Sequence, residues 1–146
     1  MSDKLPVVGR GFAFADLRVG FRFRTHRRTL READLAAFVN LTWLTEELFT
    51  VEEINKGLVP GALVYSFAEG LLLPTMQDTG LAFLNATLDI KGPTRVGDTI
   101  HVECEVTEMR PASKGNRGLV RFLNRVKNQQ GETVLEYNPL RLLKQA

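Results

Sequence analysis

The sequence is short of several features that would fix a chemistry at once. One cysteine, Cys104, occurs among 146 residues, so no disulfide can close within the chain and no thiolate cluster can gather a metal. Two histidines, His26 and His101, stand far apart, neither with a second ligand at metal spacing. Neither sign of charge dominates: 19 Lys and Arg against 17 Asp and Glu leave a net +2, too slight a bias to argue for nucleic acid. No apolar run approaches the ~20 residues that span a bilayer; the longest, around residues 71–73, is interrupted by Glu69 and Pro74. The opening Met-Ser-Asp-Lys-Leu-Pro lacks the basic-then-apolar build of a secretion signal. Repeats, low-complexity stretches and linkers are missing too. These absences predict a soluble, cytoplasmic protein, one domain over residues 1–146, with no metal, no cofactor, no membrane and no nucleic-acid partner.

What is present is ordinary core-forming material, 44% hydrophobic and 25% charged. The first residues, to about Gly11, carry Gly and Pro and read as irregular. Phe21, Phe23 and Thr25 alternate with Arg22, Arg24 and His26, the period of a half-buried strand. Thr29 with Glu32 has capping-box spacing and predicts a helix whose apolar positions are Ala33, Ala37, Phe38 and Leu41. Residues 44–50 read as a loop, then Thr50 with Glu53 repeats the box and Gly57 ends a short helix. The stretch PGALVYSFAEGLLLP, apolar nearly all round between Pro60 and Pro74, predicts a buried central helix. The pattern then turns to strands. Leu84, Ala86, Leu88 and Ile90 alternate with polar residues, as do Ile100, Val102, Cys104 and Val106. Residues 119–128 and 133–143 follow, joined by Gln129-Gln130-Gly131-Glu132. Short connections favour a four-strand antiparallel meander, giving an α+β fold: one antiparallel sheet wrapped around one helix.

Several local stretches resemble the MaoC-like dehydratases and (R)-specific enoyl-CoA hydratases, whose fold is the hot-dog. They are Phe14-Ala-Asp-Leu-Arg-Val-Gly20, Thr29-Leu-Arg-Glu-Ala-Asp34 with Phe38 and Leu41-Thr42, Leu58-Val-Pro-Gly-Ala-Leu63 with Ser66, Val96-Gly-Asp-Thr-Ile100, and Asn128-Gln-Gln-Gly-Glu132. The resemblance implies an acyl-CoA or acyl-carrier thioester as partner. It also implies a homodimer or a homo-oligomer of dimers, and admits a heteromer with a catalytically complete homologue. After Leu-Thr the family typically carries Gly-Asp, a variable residue, Asn-Pro, one residue, then His. Laid on this chain, the Asp falls at Leu44 and the His at Phe49, neither of which has an exchangeable proton.

Hydration of an enoyl thioester needs a base for water, an acid for the α-carbon and a polarised carbonyl oxygen. Glu46 and Glu47, in the loop where the dyad belongs, are the candidate substitutes, with Thr45 to orient water and Trp43 and Phe49 as apolar wall; the other reading is a solvated loop. The amides of Gly61 and Ala62, at the positive end of the central helix, are the candidate oxyanion donors, and Ser66 matches a small polar residue near the acyl group. Glu69 is the only charge inside that helix. It is either a carboxylate base, as in some hot-dog thioesterases, or the helix's wet edge. Arg22, Arg24, Arg27, Arg28 and Arg31 form a basic cluster that reads as phosphate-steering or as a solvated sheet edge. Cys104 reads as a small core residue. Three functions follow from these readings: a hydratase or dehydratase with a rebuilt acid–base pair, a non-catalytic thioester-binding or structural subunit, and a thioesterase using Glu69.

Overall fold

The computed structural model describes residues 5–146, so the expectation for the N-terminal segment lies outside the described residues at positions 1–4. After a 3-10 turn (Phe14–Asp16) come β1 (Arg22–Arg24), β2 (Arg28–Thr29), α1 (Glu32–Thr42), α2 (Glu47–Thr50), α3 (Glu52–Asn55), α4 (Gly61–Leu71) and α5 (Leu73–Met76). Six strands complete the chain: β3 (Gly80–Asn85), β4 (Leu88–Ile90), β5 (Thr99–Pro111), β6 (Arg117–Lys127), β7 (Thr133–Tyr137) and β8 (Leu140–Lys144). The strands form one antiparallel layer around α4. β1 and β2 lie along β5, β5 along β6, and β6 along β8 and then β7. β3 pairs with β8 and β4 with β7.

The layer is therefore not the plain meander that the sequence order suggested. β5, β6 and the β7–β8 ribbon follow one another, but β3 and β4 lie beside that ribbon rather than beside β5. The ribbon and its neighbour break at adjacent points, Asn138-Pro139 and Ala86-Thr87. Asn138 Oδ1 accepts both the amide (2.7 Å) and the hydroxyl (2.8 Å) of Thr87, so one side chain staples the two kinks. Proline has no N–H for a ladder, which is why the break falls there.

The alternation of β5 holds: Ile100, Val102, Cys104 and Val106 are buried, and His101 faces the other side against Glu103 at 2.9 Å. Cys104 is a core residue. One apolar cluster packs Leu63, Val64, Phe67 and Ala68 of α4 onto β5–β7. A second gathers Leu17, Val106, Val120, Phe122 and Leu143, with Phe12, Phe21 and Phe23 stacked beside them.

Several local expectations need correction. Thr29 does not cap α1; it lies in β2, its hydroxyl 2.7 Å from that of Thr99. The cap is formed by Asp34, whose carboxylate accepts the Arg31 amide at 2.9 Å. The buried face of α1 is Leu35 and Val39 with Phe38 half-buried, while Ala33, Ala37 and Leu41 are exposed, because the neighbours that cover a helix decide which of its apolar positions face inward. Residues 47–50 are helical rather than loop, and Thr50 bonds back to Glu46 O instead of capping α3. α4 is buried on one face only; Ala62, Ser66 and Gly70 are exposed. Pro74 does not stop the helical path either, because it sits in the first turn of α5, where a missing N–H costs nothing.

Candidate functional site

The start of α4 is shaped by Pro60, whose fixed φ presents its carbonyl to the amides of Leu63 (3.0 Å) and Val64 (3.3 Å). The amides of Gly61 and Ala62 come before these and have no carbonyl to meet within the helix. A cavity of 220 Å³ opens beside them, walled by Leu48, Phe49, Val64, Ile90, Thr94 and Leu135. A Cβ at Gly61 would come within 2.6 Å of Ile90 Cδ1, the tip of an exposed side chain of β4.

Thr94 is the polar member of this wall. It is only 3% exposed, and its Oγ1 has no hydrogen-bond partner among the described residues. Its carbonyl is used, accepting the Val59 amide at 2.9 Å. A buried hydroxyl left unpaired costs about 1–3 kcal/mol, and this one lies beneath the cavity surface rather than on it, with almost none of the atom accessible. Thr94 was not singled out in the sequence, where only the preceding Gly92-Pro93 reads as a break between strands.

The residues singled out from the sequence divide in space. Phe49 and Gly61 meet on the cavity, with Ala62 exposed beside it. Ser66 is exposed, its hydroxyl donated to Ala62 O at 2.8 Å, and it does not line the cavity. Trp43 is 85% exposed and closes α1 in a left-handed conformation. Thr45, Glu46 and Glu47 are exposed. Glu46 precedes α2 and Glu47 lies in its first turn, within three residues of Phe49, yet neither carboxylate is part of the cavity wall.

Glu69 is neither a wet edge nor a free base. Its Oε1 accepts from Arg141 at 3.0 Å, and its Oε2 accepts from Arg141 at 2.7 Å and from the Tyr137 hydroxyl at 2.6 Å. Burial would lower the pKa of Arg141, but the hydrogen bonds and charge of Glu69 more than reverse this and raise it. The Tyr137 hydroxyl is raised by burial and by the Glu69 charge, and burial pushes the nearby Cys104 thiol up to about 12. The fork is a structural pair joining α4 to β8, invisible in sequence because Arg141 lies 72 residues away.

The basic cluster is largely balanced by its surroundings. Arg22 stands opposite Glu105 and Arg24 opposite Glu103 across β1–β5. Arg28 pairs with Asp34 at 3.3 Å and lies 4.1 Å from the centre of the Phe67 ring. Among the described residues no three His, Cys, Asp or Glu side chains are placed to hold a metal ion, and no helix is long and apolar enough to cross a membrane.

A sheet wrapped on one helix, with a cavity at that helix's start, defines a hot-dog-fold protein. The family model described as FAS1-like, dehydratase domain region, matches residues 18–137, and the chain belongs to that family. An (R)-specific enoyl-CoA hydratase of Rhodospirillum rubrum is 26% identical over 107 residues, covering 69% of this chain and 74% of the relative. The crystal structure of a MaoC-like dehydratase from the same organism superposes with a TM-score of 0.82 at 23% identity, covering 93% of this chain and 99% of that one. A Mycobacterium tuberculosis protein with a double hotdog fold gives a TM-score of 0.85 at 23% identity; the match covers 97% of this chain and 46% of that one.

Proposed function

We propose that the protein is an acyl-thioester hydratase or dehydratase variant whose acyl group enters the cavity at the start of α4. The observation that carries this reading is an apolar cavity walled by Gly61, the first residue of α4, so that the free amides of a helix N-terminus lie beside space for an acyl group. In hydration, a base takes a proton from water as its oxygen bonds to C3 of the enoyl group. An acid then returns a proton to C2, and the charge gathering on the thioester oxygen is held by the Gly61 and Ala62 amides. Glu46 and Glu47 are the ionisable groups of the segment that also supplies Leu48 and Phe49 to the wall, and we assign the proton steps to them. The family resemblance, which puts Leu44 and Phe49 where an Asp and a His would stand, supports a substitute in this segment.

A second reading, a non-catalytic thioester-binding or structural subunit, is favoured by one observation: both glutamates are exposed and outside the cavity wall. Thioester hydrolysis through Glu69 is disfavoured because both of its oxygens already accept hydrogen bonds. A second copy of the chain is the expected partner. β3 and β4 form a free edge on which Leu81, Phe83, Leu84, Leu88 and Ile90 are exposed, an arrangement that invites strand pairing.

Mixing the protein with crotonyl-CoA and following loss of the enoyl-thioester absorbance tests the reading. Turnover that falls in Glu46→Gln or Glu47→Gln supports it, and turnover unchanged in both removes the glutamates. No turnover, with a Tm raised by acyl-CoA, supports the binding subunit instead. Free thiol release abolished by Glu69→Gln would restore the thioesterase.

A further inference from the structure

A second cavity, of 330 Å³, lies between α1 and the α2–α3 segment, floored by Leu35, Val39 and Val96 and rimmed by Glu32, Asn40 and Glu52. It shares a single lining residue with the cavity at the start of α4, and that residue is Phe49. The ring is half-buried and packed against the main core, so one aromatic side chain borders both the apolar inner space and an outer one with an apolar floor and a polar rim. The inner space alone, 220 Å³, falls below the roughly 300–1,000 Å³ of small-molecule sites, whereas the two joined would fall well inside that range.

We infer that Phe49 is the partition that sets how long an acyl chain this protein accepts, the inner cavity taking a short chain and the ring closing the way to the outer one. The inference rests on the acyl-thioester reading above. Its physics is simple. An unbranched chain gains about four-fold in affinity for each methylene buried, so affinity climbs with length until the chain meets a wall. With the ring in place the climb stops inside the inner cavity. With the ring removed it continues past the Phe49 position toward Leu35 and Val39.

The test is calorimetric titration of the full chain with butanoyl-, octanoyl- and decanoyl-coenzyme A, with free coenzyme A as the blank. The proteins compared are wild type, Phe49→Ala, Phe49→Leu and the double variant Phe49→Ala/Ala36→Phe. Ala36 is an exposed residue of α1 that lines the outer cavity, and a phenyl group there refills it. Wild-type affinity should level off with chain length. Phe49→Ala should bind the decanoyl thioester about fifteen-fold more tightly than wild type does, roughly two methylenes' worth, with the butanoyl thioester little changed. The double variant should return to the wild-type profile. Phe49→Leu should show a smaller gain in the same direction and serves if Phe49→Ala fails to fold. The same profile in wild type and a folded ring variant overturns the partition while leaving the thioester reading intact. Failure of every thioester to bind any of the proteins overturns both.

Discussion

Replacing Glu69 by Gln tests whether the contact between helix and sheet is a buried ion pair. The change keeps the size and the acceptor for Tyr137 but leaves the Arg141 guanidinium facing a neutral amide. The side chain of Arg141 is 6% exposed and that of Glu69 is 28% exposed. Breaking a fully buried pair from one side costs about 3–5 kcal/mol, and the partial exposure of Glu69 argues for the lower end, about 3 kcal/mol. For a chain of this size that corresponds to a fall in Tm of roughly 6–12 °C. Arg141→Met is expected to cost less, because Glu69 can turn toward solvent. The double variant, which leaves neither charge, should recover about 1–2 kcal/mol relative to additivity. Urea denaturation with a constant m-value reads all four corners of the cycle. A cost for Glu69→Gln below about 1 kcal/mol, the range of an exposed pair, would refute the reasoning, as would a cycle that simply adds.

Thr94→Val should leave stability unchanged or raise it by about 1 kcal/mol, since it removes a buried hydroxyl with no partner among the described residues; a clear loss in Tm would show that the hydroxyl is satisfied within the protein. Gly61→Ala should cost less than about 1 kcal/mol, because the Ile90 Cδ1 it meets is the end of an exposed side chain that can turn aside; a larger loss on denaturant titration, rescued by Ile90→Val, would show that Ile90 is held in place. Cys104 titrates at about 12 when folded but near ~8.5 when unfolded, so above the lower value the unfolded chain sheds its proton first. Stability should then fall by up to about 1.4 kcal/mol per pH unit as pH rises between them, and Cys104→Ala should lack that component; equal slopes in the two proteins would count against it. Phe83→Glu, on the exposed β3 edge, should shift the protein to monomer in sedimentation if a second copy pairs there.

Strand periodicity was legible wherever burial is decided locally. The alternation over 100–106 put every apolar residue inside, because β5 has the helix on one face and solvent on the other. The same pattern over 84–90 read as core, yet Leu84, Leu88 and Ile90 are exposed. Their strands lie at the edge of the layer, and edge position is a property of topology, set by pairings to β8 and β7 about 50 residues away. The one-sided burial of α4 has the same origin, since an apolar surface on a helix does not say which neighbour covers it. Phe49 and Gly61, chosen by their places in the family pattern and at a helix start, line one cavity. Glu46 and Glu47 were chosen by type and place in the chain, and nothing local says that α2 turns them outward. Thr94 and Arg141 carried no signal at all. Each owes its character to one distant contact made or withheld: Arg141 to Glu69 on α4, and Thr94 to a hydroxyl that no neighbour among the described residues meets. Thr79 and Asn124 also hold buried polar atoms without a partner among the described residues, so such an atom marks a place in the packing, and of the three only Thr94 belongs to a residue lining the cavity at the start of α4.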